Sequence, residues 1–337
     1  KFFDREGDTL VLRPDFTPSI ARSAAKYYMD ETRPIRMCYM GNTFVNNSSY
    51  QGRLKESTQL GAELLGDASP EADAEMIAMV IELLLDAGLK EFQVSIGQID
   101  FFKGFLLAAG LDEEQEFTLR ELISNKNNFG IEEFLDDIRM PKTCREAFIR
   151  MPQLFGNAEV LKEARRLADN SRSIGAIERL EAVYHALKLY DLTDYISFDL
   201  GLVSKYKYYT GVIFQAYTYG TGEPIVKGGR YDNLLARFGK DFAATGFAVV
   251  IDQLMSALSR QKIAIPVEAD GRLVLYDASS RDAAIHLAVS MRKDGRPVEL
   301  VRKTAGETAE DYRDFAAENG HGKIYDLTAE GVKEADV

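Results

Sequence analysis

Gly52-Arg-Leu-Lys-Glu-Ser-Thr-Gln-Leu-Gly-Ala-Glu63 is the stretch on which the fold turns. Successive side chains of a strand alternate between faces, so Gln59, Gly61 and Glu63 share one face. A buried carboxyl or carboxamide costs on the order of kcal/mol unless something pairs with it. Either that face is solvated, or it lines a cavity for a cationic or amide-bearing ligand, with Gly61 leaving room for the guest. The apolar pattern runs on to Leu65 and has a counterpart in Arg33 to Phe44. Turn-prone Asn46-Asn47-Ser48-Ser49, with Gly52 just beyond, separates the two. Two antiparallel strands joined by a long loop are predicted.

Further along, Ser69-Pro70-Glu71 supplies an N-cap, an N1 proline and first-turn acids for a helix that stops at Gly88. Met76, Ile77, Val80, Leu83 and Leu84 form its apolar stripe, which reads as plain core. Glu91 to Ile96 alternates as a strand. The sequence from Phe101 to about Tyr195 is helical and charged, and reads as an insertion carrying helix pairs. Strands are expected at Ile196 to Val203, Val212 to Tyr219, Pro224 to Lys227 and Thr245 to Ile251. Past a linker at Pro266-Val-Glu-Ala-Asp-Gly271, strands at Leu273 to Tyr276, Val298 to Val301 and Lys323 to Leu327 alternate with helices at Ser280 to Arg292 and Ala309 to Glu318. That alternation predicts a small α/β unit with a parallel sheet.

With 337 residues, 46% apolar and 28% charged, the chain reads as an ordinary soluble sequence with room for two domains. Its longest apolar run, Met76 to Leu85, falls far short of the roughly 20 residues of a membrane span, and no membrane association is expected. The chain opens on Lys1 without an initiator methionine, so its native N-terminus is expected to be missing. No secretory signal is visible, and a cytoplasmic location is expected. Cys38 and Cys144 match no metal spacing and read as reduced core residues; neither a metal nor a cofactor is predicted. Acids outnumber bases 53 to 41, a net charge of −12, and no basic run exceeds two residues. Gripping a nucleic-acid backbone relies on clustered Lys and Arg, so this balance weighs against tRNA and favours small molecules and proteins as partners.

Asp15 and Thr17 follow Arg13-Pro14, where their polar groups either cap the helix opening at Thr17-Pro18-Ser19 or project into a cavity suited to an α-ammonium group. Tyr208 and Tyr209, before the turn at Thr210-Gly211, are either core or the ring faces and hydroxyls that hold an imidazole.

Taken in order, Leu12-Arg-Pro-Asp-Phe-Thr17, Gln59, Glu63, Leu202-Val-Ser-Lys-Tyr-Lys-Tyr-Tyr-Thr-Gly211, Gly228-Gly-Arg-Tyr-Asp232 and Gly246-Phe-Ala-Val249 resemble the signatures of histidyl-tRNA synthetase over roughly residues 8 to 260. The resemblance implies an α+β fold of the class II aminoacyl-tRNA synthetase type, an antiparallel sheet flanked by helices. It would occupy residues 1–265, with a helical insertion at about 101–195, followed at 271–337 by a small α/β domain resembling part of an anticodon-binding domain. In that family the positions matched by Asp15, Thr17, Gln59, Glu63, Tyr208 and Tyr209 hold the histidine ammonium group and imidazole.

The departures bear on chemistry. Phe44-Val45 stands where the second class-defining motif has Phe-Arg, Gln253 stands for the arginine of the third, and Ser204 replaces the histidine-specific catalytic arginine. Guanidinium groups stabilise the charge that develops on a transferring phosphate, and losing one such contact costs about 10²- to 10³-fold. Lys205, Lys207 and Arg53 lie close in sequence, but lysine is a point charge of different reach. No catalytic residue is therefore expected. Phe3-Asp-Arg-Glu-Gly-Asp-Thr-Leu-Val-Leu-Arg-Pro-Asp-Phe-Thr-Pro-Ser-Ile-Ala-Arg22 resembles the ATP phosphoribosyltransferase regulatory subunits. That resemblance implies a homodimer assembled with a short-form catalytic subunit, with L-histidine as inhibitory effector bound either in the inherited pocket or at the subunit interface. An active histidyl-tRNA synthetase and a histidine-binding module for another partner are the rival readings.

Overall fold

The predicted pair of strands forms a ladder of ten residues on each side, Ile35–Phe44 against Glu56–Leu65, in antiparallel register. The computed structural model describes residues 1–46, 54–204, 208–265 and 270–337. Asn47 to Ser49 of the predicted loop lie outside the described residues, as do Gly52, Arg53, Lys205, Lys207 and the start of the linker at 266–269. Two compact units are present, Lys1–Ala264 and Ile265–Val337.

The first unit opens with a hairpin of β1 (Phe2–Phe3) and β2 (Thr9–Leu10), then α1 (Thr17–Tyr27), β3 (Ile35–Phe44), β4 (Glu56–Leu65), α2 (Pro70–Asp86) and β5 (Phe92–Gln98). A helical insertion follows: α3 (Ile99–Ala109), α4 (Glu113–Ser124), α5 (Asn128–Asp136), α6 (Lys142–Arg150), the short strand β6 (Phe155–Gly156), α7 (Glu159–Leu167) and α8 (Ser171–Leu189). The chain then returns through β7 (Ile196–Asp199), β8 (Val212–Thr218), β9 (Val226–Arg230), β10 (Ala244–Val250) and α9 (Ile251–Arg260). The eight-stranded sheet runs β3-β4-β10-β9-β8-β5-β7-β6, with β5 and β7 its single parallel pair among the described residues. Helices flank an antiparallel sheet, as the resemblance implies.

Helix α2 forms for the local reasons read from its sequence. The Ser69 hydroxyl accepts the Ala72 amide at 3.2 Å, Pro70 occupies the first turn, and Gly88, at φ +92°, terminates the run. Met76, Ile77, Val80 and Leu84 are buried against the sheet and Leu83 partly so. Strand β7 stops at Asp199, short of the predicted Val203, because the Asp199 carboxylate accepts the Gly201 amide at 2.9 Å and turns the chain. Cys144 is buried in α6, whereas Cys38, expected in the core, is exposed on the edge strand β3. No described helix is long and apolar enough to cross a membrane.

In the second unit, β11 (Gly271–Tyr276), β12 (Val298–Arg302) and β13 (His321–Thr328) make the predicted parallel sheet, in the order β12-β11-β13, with α10 (Arg281–Lys293) and α11 (Arg313–Glu318) between them in sequence. A fourth strand, β14 (Gly331–Asp336), adds an antiparallel edge that the sequence reading missed. Its charged Lys333, Glu334 and Asp336 hide the alternation.

One buried carboxylate braces the first unit. Asp73, fully buried in the first turn of α2, accepts Arg179 Nε at 2.9 Å and Nη2 at 2.6 Å on one oxygen, and Arg230 Nε at 2.9 Å on the other. The same guanidinium groups donate to the carbonyls of Asp67, Ala68 and Ser69, so α8 and β9 are both pinned to the start of α2. Removing one partner of a buried ion pair leaves an uncompensated charge. Asp73→Asn is expected to cost about 3 kcal/mol, read as a lower urea midpoint.

Candidate functional site

Glu63 lies on β4 opposite Gly246 of β10, and it is 2% exposed. A Cβ at position 246 would sit 1.7 Å from Glu63 Oε2, so only glycine leaves the carboxyl its place. Thr17 Oγ1 donates to Glu63 Oε1 at 3.0 Å and the Tyr231 hydroxyl donates to Oε2 at 2.5 Å. Burial pushes the Glu63 carboxyl up to about 8, the nearby Asp15 charge adds to the rise, and the two hydroxyls oppose it. Burial likewise raises the Tyr231 phenol well above its ordinary value.

Asp15 is shared between the start of α1 and the cavity wall. One oxygen accepts the Thr17 amide at 3.0 Å, bracing the start of α1, and the other accepts the Tyr208 hydroxyl at 2.8 Å. Thr17 does not cap α1, since Phe16 holds the N-cap position, and its hydroxyl is spent on Glu63 instead. The Tyr208 ring lies 4.9 Å from that of Tyr209 and meets Tyr231 edge-on at 6.1 Å.

A cavity of about 900 Å³ brings together all six predicted contact residues, Asp15, Thr17, Gln59, Glu63, Tyr208 and Tyr209. Tyr231 joins them. In the sequence Gly228-Gly-Arg-Tyr-Asp232 reads only as a strand signature; the signal it offers is a tyrosine beside an arginine at the end of a glycine-rich strand. Gly61 is a correction: its missing side chain makes room for the protein's own Tyr39, whose Cζ would lie 2.2 Å from a Cβ there. Tyr39 in turn stacks on Phe16 at 4.6 Å.

Val45 and Gln253 also line the cavity, together with Lys55, Lys227, Asp252 and Arg260, and the Val45 amide donates to the Lys55 carbonyl just before β4, at the far end of that strand from Glu63. Asp252 accepts the Thr58 amide at 2.8 Å, and Arg260, exposed, donates to the Gly220 carbonyl. Arg260 is the one arginine among the described lining residues. Ser204 does not line the cavity; it is buried, and its carbonyl accepts Arg120 Nη1 at 3.2 Å.

Comparison with known proteins bears on the family and the fold. The family described as histidyl-tRNA synthetase matches residues 1–254. An ATP phosphoribosyltransferase regulatory subunit from Acetivibrio thermocellus is 42% identical over 324 residues, spanning 96% of this chain and 77% of that relative. The chain belongs to the ATP phosphoribosyltransferase regulatory subunit family. A solved structure from Bacillus halodurans C, described as an ATP phosphoribosyltransferase regulatory subunit/histidyl-tRNA synthetase, superposes with a TM-score of 0.79 at 34% identity, covering 96% of this chain and 81% of the other. Histidyl-tRNA synthetase from Nostoc sp. PCC 7120 shares the fold, with a TM-score of 0.74 at 18% identity over 96% of this chain and 80% of its own. A regulatory subunit of this family thus carries the class II synthetase fold.

The raised Glu63 carboxyl has a stability consequence. Between its ordinary value of 4.5 and about 8, the unfolded chain has lost the proton while the folded chain keeps it, so stability falls as pH rises through that window. Glu63→Gln preserves a polar group that cannot ionise. Relative to this variant, the parent chain is expected to lose about 2 to 4 kcal/mol between pH 5 and pH 8.5, measured by urea unfolding at both values.

Proposed function

We propose that this chain is the non-catalytic regulatory subunit of ATP phosphoribosyltransferase. It assembles with a short-form catalytic subunit, which carries out the first step of histidine biosynthesis, and conveys feedback inhibition by histidine to it. The observation that carries this reading is the asymmetry of the cavity: one end holds the Thr17–Glu63–Tyr231 cluster and the Asp15–Tyr208 pair, and the other has Val45 and Gln253 at positions matching the synthetase arginines.

Histidine places its ammonium group against Asp15 and Glu63 and its imidazole beside Tyr208 and Tyr209, with Gln59 on the same wall. A cation seated there favours the ionised carboxylate, so binding expels the Glu63 proton and fixes both hydroxyls as donors. Inhibition follows by linkage: histidine favours one arrangement of the hetero-oligomer over another, and its leverage is its differential affinity, typically about 1 to 3 kcal/mol.

The exposed Phe2, Phe3, Leu10, Val11 and Leu12 support a homodimer through the synthetase-like core. An isolated two-stranded hairpin is marginal in water, and a second copy of the chain covers this one. The free thiols of Cys38 and Cys144 fit a cytoplasmic location, and the charge of −12 supports a role without tRNA.

Mixing the purified chain with a short-form catalytic subunit is expected to raise condensation of ATP with phosphoribosyl pyrophosphate and to make it inhibitable by histidine. Asp15→Ala is expected to keep the activation while weakening histidine inhibition about tenfold or more. A catalytic subunit equally active and equally inhibited alone overturns the reading. In a separate assay, histidine-dependent exchange of pyrophosphate into ATP is expected to stay at background, because each missing guanidinium costs about 10²- to 10³-fold. Exchange at synthetase-like rates would instead identify an active ligase.

A further inference from the structure

Basic side chains of the helical insertion grip the segment that leads from β7 toward the cavity. Lys126, just past α4, donates Nζ to Asp199 Oδ2 at 3.0 Å and lies over the Phe155 ring. Arg120, on α4 itself, donates Nη1 to the carbonyl oxygen of Ser204 at 3.2 Å. Between these points the Leu200 amide donates to the Leu154 carbonyl, also in the insertion, at 3.0 Å. The stretch from Asp199 to Ser204 is therefore held from the insertion at three places. Four residues after Ser204 comes Tyr208, hydrogen-bonded to Asp15, and the Thr210 amide then donates to the Arg230 carbonyl at 2.8 Å.

Arg120 is set up in advance for this contact. Its Nη2 pairs with Glu116 one turn back, and its guanidinium carbon lies 5.4 Å from the centroid of Phe102. The side chain is 20% exposed, so water competes little for the bond. A hydrogen bond from an ionised donor is about twice as strong as a neutral one, and the planar fork serves Glu116 and Ser204 together, which a lysine cannot reproduce.

We infer that Arg120 is a positioning residue for the effector cavity: through the Ser204 carbonyl it anchors the end of the stretch 199–204, from which the chain runs on to Tyr208 and Tyr209, and so couples the helical insertion to the ligand site. The inference rests on the reading that these tyrosines contact histidine. It assigns to α4 a role in ligand affinity although Arg120 does not line the cavity.

The test titrates histidine calorimetrically into the full chain and its Arg120→Ala, Arg120→Lys and Glu116→Gln variants, and follows amide hydrogen exchange over residues 199–204 and 208–210. Arg120→Ala is expected to weaken histidine binding about tenfold and to speed exchange in that stretch, while exchange in the second unit is unchanged. Arg120→Lys recovers only part of the affinity, and it also serves as the working variant if the alanine form folds poorly. Glu116→Gln, which loosens the guanidinium but keeps its reach to Ser204, shifts affinity in the same direction as Arg120→Ala and by less. A lowered melting temperature with unaltered histidine affinity would reduce Arg120 to a structural prop and overturn the inference. If the parent chain binds no histidine, the reading of the cavity fails separately; the exchange measurement then decides alone, and unchanged exchange in Arg120→Ala defeats the positioning role.

Discussion

The Glu63 carboxyl is buried where β4, β10, α1 and the turn after β9 converge, and each of these elements gives up something to keep it there. Strand β10 forgoes a side chain at Gly246, α1 forgoes a cap so that the Thr17 hydroxyl can reach across, and Tyr231 commits its phenol. The arrangement is coupled to the frame through chain neighbours. Arg230, immediately before Tyr231, is the buried guanidinium that clasps Asp73, so the position of the Glu63 partner is tied to the brace joining α2, α8 and β9. A polar cluster this enclosed survives only when its members satisfy one another, which explains why the strands, the helix start and the brace form one connected set.

Arg260, the one arginine among the described lining residues, and the arginines of the surrounding frame are committed to protein partners. Arg230 and Arg179 are absorbed by Asp73, Arg120 by Glu116 and Ser204, and Arg260 by the Gly220 carbonyl. Their work is structural or at the rim. At one end of the cavity, by contrast, carboxyl groups, hydroxyls and tyrosine rings face a shared volume. The proposed reading of the site rests on that division.

Much of this was legible in the chain because local rules agree with the fold. The Ser69-Pro70 opening of α2, the alternation around Gln59 and Glu63, and the parallel strands of the second unit all follow from periodicity and caps. Asp15, Thr17, Gln59, Glu63, Tyr208 and Tyr209 were found through the company they keep in ordered motifs. What escaped depends on contacts between residues far apart in sequence. The space beside Gly61 belongs to Tyr39, an assignment set by the register between β3 and β4. Ser204 matters through its backbone, which side-chain identity does not reveal, and the Asp73 clasp joins residues 106 and 157 positions apart. The strand β14 was obscured because an edge strand is free to be charged on both faces.

The helical insertion leaves the large sheet from β5 and re-enters it at β7, the strand paired directly beside β5, while its own β6 hydrogen-bonds to β7 from the outer side. Such a module is stitched into the fabric at both seams and cannot swing like a flap on a tether. Any push on its helices travels as shear along adjoining strands, so a protein that touches only the insertion tugs on the same cloth into which the cavity is woven.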